Sequence, residues 1–525
     1  MSPPNRNNPY SFDPYLEWRN GLDYYLDDPF FQKVLKHFSG DDWEKADEGA
    51  RKISVKTSFR WRDFADAIAA HEKRPYVAHY DAHHHRVDRI IRPYETETME
   101  KEVFSEAIFS NKTPPWEKLA KMYLIYQNGE ACIACPLVCT EGLIAIIERY
   151  PDSSELERIL RHCREGIDGD FGIGAQYLSE IQGGSDLQAN VLEAVEEDGA
   201  WRLYGTKFFC SATHADYAVV TAKPAGSEKP ALFVVPSWLE GNREKEVRNG
   251  FTIDRIKWKM GTSELPTAEL TFNGAKAYPV GPLDAGVANA VGIVLTLSRL
   301  TVGLFAAASM TRAAREARAY SEFREAFGSP IGQFPMVAGQ IGNLERHARR
   351  TSAGAFKLYR DFIELKSMRE AESVSARQKK FNVRESIMLQ KITASWDSVD
   401  MLRQAMSIFG GHGVMEDFSS LPRLYRDAAV NELWEGPRNV LLTQIFRDIQ
   451  RASAWYPPSS FVESLLTGAD SQTVRELAGE ITEIVSRLDL LRMDEETTRL
   501  CSRWDGFCHR LFHSCQDLAL EEVEN

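Results

Sequence analysis

Positive charge is in short supply in this sequence. Lys and Arg total 63 and Asp and Glu total 76, which gives a formal net charge of −13. A chain with this balance has no general electrostatic attraction to nucleic acid or to an anionic membrane surface. We therefore expect no nucleic-acid partner that is recognised through overall charge.

Long apolar runs are missing as well. The sequence has no uninterrupted stretch of about 18 apolar residues, the length that a membrane-spanning helix needs. Its first residues, MSPPNRNNPYSFDPYLEW, are polar, rich in Pro and Asn, and lack the apolar centre of a secretory signal. These absences predict a cytoplasmic protein without a membrane span.

Cysteine is sparse, and eight residues in a chain of 525 do not make a disulfide framework. Cys132, Cys135 and Cys139 recur at helical spacing on one face. This pattern is typical of a small-residue packing stripe, which is favoured over a metal site.

Two His-containing segments are further metal candidates. In CHRLFHSC, which contains Cys508, His509, His513 and Cys515, the side chains diverge if the segment is one helix, and no second ligand pair lies at zinc-finger spacing. In HHHR, residues 83–86, the histidines follow a turn-like YDA and are expected in a solvated loop. We predict no metal at either place.

What the sequence does have is enough apolar residues for a large core, 43% of the chain, and a length that fits about three domains. Apolar spacing is mostly helical from residue 41 to about 170. It then changes to β-branched runs, with Asp198-Gly199 as a strong hairpin signal, until Gly281-Pro282. That middle part is predicted to be a compact β domain.

Helical patterns return after the β domain. LTLSRLTVGLFAAASMTRAAREARAYSEFREAF forms one long pattern, and RESIMLQKITASWDSVDMLRQAMSIFGG ends at a glycine pair. The charged interval KSMREAESVSARQKKF is expected to bridge two helices of a bundle. Near the end, apolar residues at 3–4 spacing predict a docked amphipathic helix, namely Val474, Leu477, Ile481, Ile484 and Leu488.

The predicted fold class is therefore α+β. We place an N-terminal helical domain with an extended arm at residues 1–170 and a middle β-barrel or sandwich domain at 171–285. A C-terminal four-helix bundle follows at 286–455, and a helical appendix at 456–525.

Several short segments have residue types that suit a ligand site. Gly183, Gly184 and Ser185 allow close backbone approach and offer donors, as a phosphate- or cofactor-binding loop requires. Gly-Gly-Ser is more often a plain turn, however, and the segment is not a G-x-G-x-x-G fingerprint. GTKFFCSATHADYA offers aromatic rings and hydroxyls for one wall of a flat pocket, but such residues are also ordinary in a strand.

The helical half adds further candidates. Arg324 either complements a helix C-terminus or reaches a phosphate. His412 in FGGHG is read as a loop histidine in preference to an acid–base group. In NELWEGPRN, Glu435 stands between Trp434 and a Gly-Pro pair, as suits a desolvated base. Glu432 is the alternative carboxylate.

Taken in order, these segments resemble the acyl-CoA dehydrogenase family over roughly residues 70–525, and the chain is most similar to its AidB-type branch. The resemblance rests on the following segments: YLSEIQGGSD, YGTKFFCS, IDRIKWKMGTSELPTAEL, SRLTVG, FREAFGSPI, FGGHGVMEDFSSLPRLYRDAAV and LWEGPRNV. The branch also shares HYDAHHHRVDR, QFPM and an added C-terminal helical domain.

This resemblance implies an enzyme that binds FAD between the β domain and the bundle and converts an acyl-CoA to a 2-enoyl-CoA. Glu435 matches the family's base, which removes the α-proton while the β-hydrogen passes as hydride to flavin N5. The implied partners are an acyl-CoA substrate, an electron-transferring flavoprotein and further copies of the chain in a homotetramer or dimer.

The resemblance also assigns binding residues. The positions that match flavin contacts are Leu178, Ser179, Gly184, Ser185, Phe209, Ser211, Arg324, Phe327, Gly410, Gly411, Trp434, Gly436 and Asn439. Ser185 and Arg299 match residues near the substrate. In the family, the positions matching Arg324 and Phe327 contact FAD across a subunit boundary.

Some positions depart from the family pattern. Phe209 replaces a Trp, Ala326 a Thr, Ser407 a Gln, and Pro437 the Thr of Glu-Gly-Thr. These changes bear on individual FAD contacts.

Two other functions stay open. The AidB-type branch binds duplex DNA through its added domain, but residues 456–525 here have six Lys and Arg against fourteen Asp and Glu, a balance of −8 that opposes DNA. A flavin-dependent oxidase or monooxygenase on the same fold is the other alternative.

Overall fold

The computed structural model of the protein describes residues 10–367 and 373–525. Its first part is mainly helical and contains the following elements: α1 (Asp13–Gly21), α2 (Pro29–Ser39), α3 (Trp43–Val55), α4 (Trp61–Ile68), β1 (Tyr76–Tyr80), β2 (Arg86–Ile91), α5 (Tyr94–Phe104), α6 (Pro115–Tyr126), α7 (Ala134–Arg149) and α8 (Ser154–Glu165). Residues 13–39, which precede the stretch whose apolar spacing predicts helices, also include two helices.

The β1–β2 hairpin is the exception to the helical pattern predicted for this part of the chain. Its two strands pair antiparallel, and His83, His84 and His85 lie exposed at its tip, as the loop prediction required. The buried carboxylate of Asp88 on β2 accepts a hydrogen bond from the backbone N–H of Ile253, so the hairpin is fastened to the middle domain.

The middle domain is built on a seven-stranded sheet. Its strands are β3 (Gly174–Tyr177), β4 (Glu193–Glu197), β5 (Ala200–Ser211), β6 (Tyr217–Pro224), β7 (Ala231–Pro236), β8 (Phe251–Ile256) and β9 (Thr267–Pro279). The pairings β6–β4–β5–β9–β7–β6 close a ring, to which β3 and β8 are added at β6 and β9. Asp198 and Gly199, both with positive φ, form the β4–β5 turn, which confirms the predicted hairpin.

The C-terminal half is again helical. Its elements are α9 (Gly286–Asn289), α10 (Leu295–Phe323), β10 (Glu325–Ala326), β11 (Ser329–Pro330), α11 (Pro335–Ser367), α12 (Val374–Phe409), α13 (Leu421–Leu433), α14 (Arg438–Ala452), α15 (Pro458–Leu465), α16 (Ser471–Arg487) and α17 (Glu495–Glu524). Part of the charged interval predicted between α11 and α12 lies outside the described residues, and its described end from Val374 is already helical.

Helices α10 to α13 share one apolar core, to which each contributes side chains such as Ala313, Leu344, Leu402 and Leu424. This is the predicted four-helix bundle. Within the described residues, the helical stretch Gly286–Phe323 is long and apolar enough to cross a membrane, but 72% of its most apolar window is buried inside the structure. It serves as the central helix of the bundle.

The appendix does not have a core of its own. Leu477, Ile481 and Ile484 on α16 pack with Ile392 on α12 and Leu441 on α14 in one apolar cluster. The predicted amphipathic helix is therefore confirmed, and it docks on α12 and α14.

Candidate active site

Glu435 lies on a tight turn between α13 and α14. Its φ of 60° is in the left-handed region, and Gly436 follows with a φ of 97°. A Cβ at Gly436 would be 3.1 Å from Leu441 Cδ2, so both the conformation and the space favour glycine. Trp434 packs against the apolar core of the β domain. The turn thus joins the bundle to the middle domain.

Two cations from neighbouring helices hold this turn. Lys391 on α12 is fully buried, and its Nζ donates to the carbonyl oxygens of Glu432 at 2.8 Å and Gly436 at 2.7 Å. Arg299 on α10 donates from Nε to the carbonyl oxygen of Glu435 at 3.0 Å. The backbone on both sides of Glu435 is therefore fixed by charged donors.

The environment of Glu435 suits a base that works near neutral pH. Burial raises the pKa of its carboxyl group to about 6, against the opposing influence of Arg299 and Lys391. The residue keeps some exposure, but Oε2 is buried and has no hydrogen-bond partner among the described residues. Burial also lowers the pKa of Lys391, to about 7. A reactive carboxylate and a perturbed ammonium group thus lie together.

The predicted glycine loop follows β3 on the middle domain. Leu178 is buried, Ser179 is half-buried, and Gly184 and Ser185 are exposed. A Cβ at Gly184 would collide with Ser179 Oγ, so the loop can fold back on itself only with glycine there. The Ser179 carbonyl oxygen accepts from the Phe208 N–H at 3.0 Å, which joins the loop to β5.

A buried ion pair between Glu180 and Lys207, which the sequence analysis did not predict, lies beside this loop. Lys207 Nζ lies 2.8 Å from Glu180 Oε1, and both side chains are buried. Glu180 also accepts from the N–H groups of Val191 and Leu192. An acidic residue directly after YLS and a Lys in a strand were the available signals, but neither has a periodic pattern that would indicate pairing.

Phe209 and Ser211 lie at the end of β5. The Phe209 ring is 52% exposed, and Lys257 Nζ lies 4.5 Å from its centroid. Ser211 Oγ is 3.0 Å from Thr267 Oγ1. The strand end thus presents an open aromatic face beside hydroxyl groups.

A groove of about 530 Å³ lies between the glycine loop of the middle domain and α14. It connects Ser185 of the glycine loop with Asn439 at the start of α14. Three guanidinium groups also line it, from Arg384, Arg447 and Arg451, with Asp186 and Asp448 among the acidic neighbours. The structure therefore brings Ser185 and Asn439 together, as the assignment to one site required.

The remaining predicted residues lie elsewhere. Arg324 follows the end of α10, where it donates to the Tyr10 hydroxyl at 3.0 Å, and Phe327 is 99% exposed at the β10–β11 turn. Gly410 and Gly411 are exposed just after α12. Arg299 and Arg324 are about 25 residues apart on α10, or roughly 37 Å at the rise of an α-helix. The Arg324 end of α10 is therefore far from the turn that carries Glu435, to which Arg299 donates.

The other candidates have structural explanations. His412 Nδ1 is 2.8 Å from the Tyr320 hydroxyl, and its ring stacks on Phe418. Cys135 and Cys139 are buried, with their Sγ atoms 3.7 Å apart, in the core of the β domain. The packing interpretation of the cysteine stripe is consistent with these positions.

Comparison with known proteins identifies a middle domain and a C-terminal domain in this chain. The family descriptions "Acyl-CoA dehydrogenase, middle domain" and "Acyl-CoA dehydrogenase, C-terminal domain" match residues 175–275 and 284–450. Acyl-CoA dehydrogenase family member 11 of Caenorhabditis elegans is 28% identical over 81% of this chain and 70% of its own length. The putative acyl-CoA dehydrogenase AidB of Escherichia coli is 28% identical over 66% of this chain and 62% of its own length.

Solved structures share the fold over nearly the whole chain. The apo form of Bd2924 superposes with a TM-score of 0.84 at 25% identity and covers 96% of this chain and 98% of its own. Caenorhabditis elegans ACDH-11 in complex with C11-CoA gives a TM-score of 0.80 at 23% identity, with 96% and 90% covered. With both catalytic domains matched in sequence and the whole fold matched in structure, this chain belongs to the acyl-CoA dehydrogenase family of oxidoreductases.

Proposed function

We propose that this protein is a FAD-dependent acyl-CoA dehydrogenase that converts an acyl-CoA thioester to the 2-enoyl-CoA with Glu435 as its base. The observation that carries the proposal is the state of Glu435. Its Oε2 is buried without a partner among the described residues, its pKa is raised to about 6, and the backbone around it is held by Lys391 and Arg299. A surface glutamate has none of these features.

The residues at the domain junction fit a flavin. Phe209 offers an exposed ring for stacking, and the glycine at 184 keeps the neighbouring backbone accessible. Trp434 Nε1 is a buried donor without an acceptor in the described part of the chain. The family resemblance assigns Leu178, Ser179, Ser185, Ser211 and Gly436 to the same flavin. When bound, FAD supplies an acceptor that takes the β-hydrogen as a hydride.

The protein's own part in the reaction is proton transfer and positioning. The Glu435 carboxylate takes the α-proton, and the electron pair of that C–H bond becomes the second bond between the α- and β-carbons as the hydride leaves. Lys391 and Arg299 favour the ionised carboxylate through their charge. Because the backbone of the turn is fixed beforehand, little reorganisation accompanies the transfer.

The groove beside the turn accounts for the CoA part of the substrate. Its three arginines offer guanidinium groups to an anion, and Arg447 and Arg451 are exposed to solvent. Guanidinium groups are the preferred partners of phosphate oxygens. A phosphate-bearing carrier such as CoA therefore fits here, next to Ser185 and Asn439.

We also propose that the chain forms a homo-oligomer and passes its electrons to an electron-transferring flavoprotein. Arg324 follows the end of α10 that is remote from Arg299 and the Glu435 turn, roughly 37 Å along the helix, and Phe327 lies just beyond it. A second copy could bring its own FAD to them, which explains why a Phe side chain is left 99% exposed. We place these two residues, with Gly410 and Gly411, at the neighbouring subunit's FAD.

The test is reduction of the bound flavin in the absence of oxygen. The yellow protein is mixed anaerobically with a panel of acyl-CoA thioesters, and loss of flavin absorbance is followed by stopped flow. Glu435→Gln is expected to slow the reduction by about 10²–10⁴-fold, the usual contribution of a positioned base. Glu432→Gln, a carboxylate three residues away, is the matched control and should react normally. Reduction of Glu435→Gln at the wild-type rate would refute the assignment.

The alternatives differ in the same experiment. A monooxygenase that does not act on a thioester would not be reduced anaerobically by an acyl-CoA. An oxidase of acyl-CoA would share the reductive step and is distinguished by rapid reoxidation of its reduced flavin with O₂. DNA binding through the appendix is opposed by its balance of −8.

A further inference from the structure

His509 and His513 lie four residues apart on α17, and both point at one carboxylate of the bundle. Nε2 of His513 is 2.7 Å from Asp397 Oδ2, and Nε2 of His509 is 3.3 Å from Asp397 Oδ1. The sequence had suggested diverging directions for this segment. Cys508 does diverge into the apolar core, but the two histidines share a face, since i and i+4 neighbour each other on a helix.

The contacts of His513 Nε2 cannot all be hydrogen bonds. Asp397 Oδ2 at 2.7 Å requires a hydrogen on this nitrogen. Arg350 Nη2 on α11, also at 2.7 Å, only donates and therefore requires a lone pair there. No protonation state of imidazole satisfies both neighbours.

We propose that Asp397, His509 and His513 bind one divalent transition-metal ion, with Zn²⁺ as the ion that this set of two imidazoles and a carboxylate favours. Zn–N and Zn–O bonds of roughly 2.0–2.1 Å place tetrahedral ligand atoms about 3.3 Å apart. The three candidate ligand atoms all lie within 4.8 Å of one another. A metal on the lone pair of His513 Nε2 removes its conflict with the carboxylate.

When the ion binds, the Arg350 guanidinium group can turn from His513 towards the carboxylate of Asp517. Its Nη1 is 4.0 Å from Asp517 Oδ1, and its Nη2 is 3.6 Å from Asp397 Oδ2, beyond hydrogen-bond reach. His347 on α11 has Nδ1 3.8 Å from Asp397 Oδ2 and lies next to the open coordination position. The side chains of His509 and His513 are about one-fifth exposed, so an ion can enter from solvent.

In a second cluster of possible metal ligands, the carboxylate is already paired with a cation of the protein. Glu100, Cys132 and His214 also lie close together, but Arg92 binds Glu100 with two hydrogen bonds, at 2.8 and 2.9 Å. The guanidinium group there already supplies the cation, and we propose no metal. At Asp397 the corresponding two-pronged bond is absent among the described residues.

The position of the site indicates its role. Asp397 is on α12, the helix that also holds Lys391, while the histidines are on the last helix of the appendix. An ion bonded to both helices would fasten α17 to the bundle across more than 100 residues of sequence. It would stabilise the native state in proportion to its free concentration.

The experiment uses the full-length protein without an affinity tag, after dialysis against a chelator and then against metal-free buffer. Titration calorimetry with Zn²⁺, with metal content by mass spectrometry after gel filtration, should show one ion per chain and a rise in melting temperature. His513→Gln and His509→Gln should weaken binding by more than the roughly 10–100-fold expected when only an outer partner is lost. His84→Gln, at the exposed hairpin tip, is the control and should bind normally.

Two further measurements keep the proposal falsifiable if a histidine variant folds poorly. Arg350→Met should retain Zn²⁺, because the arginine is not a ligand. X-ray absorption at the zinc edge of the wild-type protein should show nitrogen and oxygen neighbours only. If the wild-type protein takes up no stoichiometric Zn²⁺, or if a sulfur shell appears, Arg350 is the cation of this cluster and the metal site is wrong.

Discussion

Lys391 donates a hydrogen bond of 2.7 Å to the carbonyl oxygen of Gly436, so a buried ammonium group on α12 holds the turn that carries Glu435. In the proposed mechanism Lys391 does not touch the reacting atoms. It would position Glu435 and favour the ionised form of that carboxyl group.

Lys391→Met is expected to lower kcat by about 100-fold, the order that a base displaced by 1 Å can lose. Two carbonyl oxygens lose their donor, at a cost of about 1–3 kcal/mol for each buried acceptor left unsatisfied. Steady-state kinetics and thermal unfolding measure the two effects. Lys380→Met, an exposed lysine of the same helix, should change neither. A Lys391→Met enzyme with wild-type kcat would remove the positioning role.

The rate of flavin reduction should fall on the acid side with an inflection near pH 6. The base must be ionised to accept a proton, and the pKa of Glu435 is raised to about 6 by burial. Since Lys391 opposes that rise, Lys391→Met should move the inflection to higher pH. Stopped-flow rates from about pH 4 to 8 locate the inflection, and an inflection near pH 4.5 would mean that the carboxylate that accepts the proton is not buried.

Glu435→Gln should melt at a higher temperature than the wild type at pH 7.5. The folded pKa of about 6 lies above the ordinary value of 4.5. Glu435 therefore gives its full contribution to stability below pH 4.5 and loses it as the pH rises through 6. At neutral pH the raised pKa lowers the free energy of unfolding by about 2 kcal/mol, relative to a glutamate with an unshifted pKa. The difference in melting temperature should narrow at pH 5, and Glu432→Gln should show no such dependence on pH.

Gly184→Ala should weaken FAD retention about 10-fold, because the added methyl group meets Ser179 Oγ and displaces the loop. The double variant Ser179→Ala/Gly184→Ala removes the hydroxyl and should recover part of the affinity, while Ser179→Ala alone should have a smaller effect. Flavin fluorescence during dilution gives the dissociation constants. Equal FAD affinity in all three variants would show that this loop does not contact the cofactor.

Replacing both Arg447 and Arg451 by Met should raise KM for acyl-CoA about 10-fold and leave kcat nearly unchanged. These guanidinium groups are proposed to bind CoA phosphates, a contact made equally in the ground and transition states. An acyl-pantetheine thioester, which lacks the nucleotide phosphates, should show no difference between variant and wild type. An equal loss with both substrates would place the CoA phosphates elsewhere.

Local sequence patterns predicted the structure correctly where the conformation of a segment depends on its own residues. The Asp198-Gly199 turn needed two positive φ values, and both residues adopt them readily. The apolar spacing of Leu477, Ile481 and Ile484 indicated one helix face, and that face is buried. The β1–β2 hairpin escaped prediction because its strands are short and polar, and it is fastened by contacts to β8 that no local pattern reveals.

In the candidate site, too, a local motif marked one residue, whereas its distant partners were not predicted. The motif LWEGPRN marked Glu435, but the residue that holds its turn, Lys391, lies 45 positions from Gly436 in an ordinary helix. Glu180 and Lys207 meet across 27 positions. A side-chain pair of this kind leaves no periodic trace in the sequence, since its spacing is set by how the elements pack.

The sequence by itself determined the order of helical, β and helical regions, the turn that carries a carboxylate, and the family to which the chain belongs. These features depend on residues close together along the chain, whose backbone preferences and apolar spacing act locally. Only the tertiary structure decided that Lys391 and Arg299 fix Glu435, that Ser185 and Asn439 share a groove, and that His509 and His513 meet Asp397. Each of those depends on which faces of distant elements become buried together, and free energy of packing is a property of the whole fold.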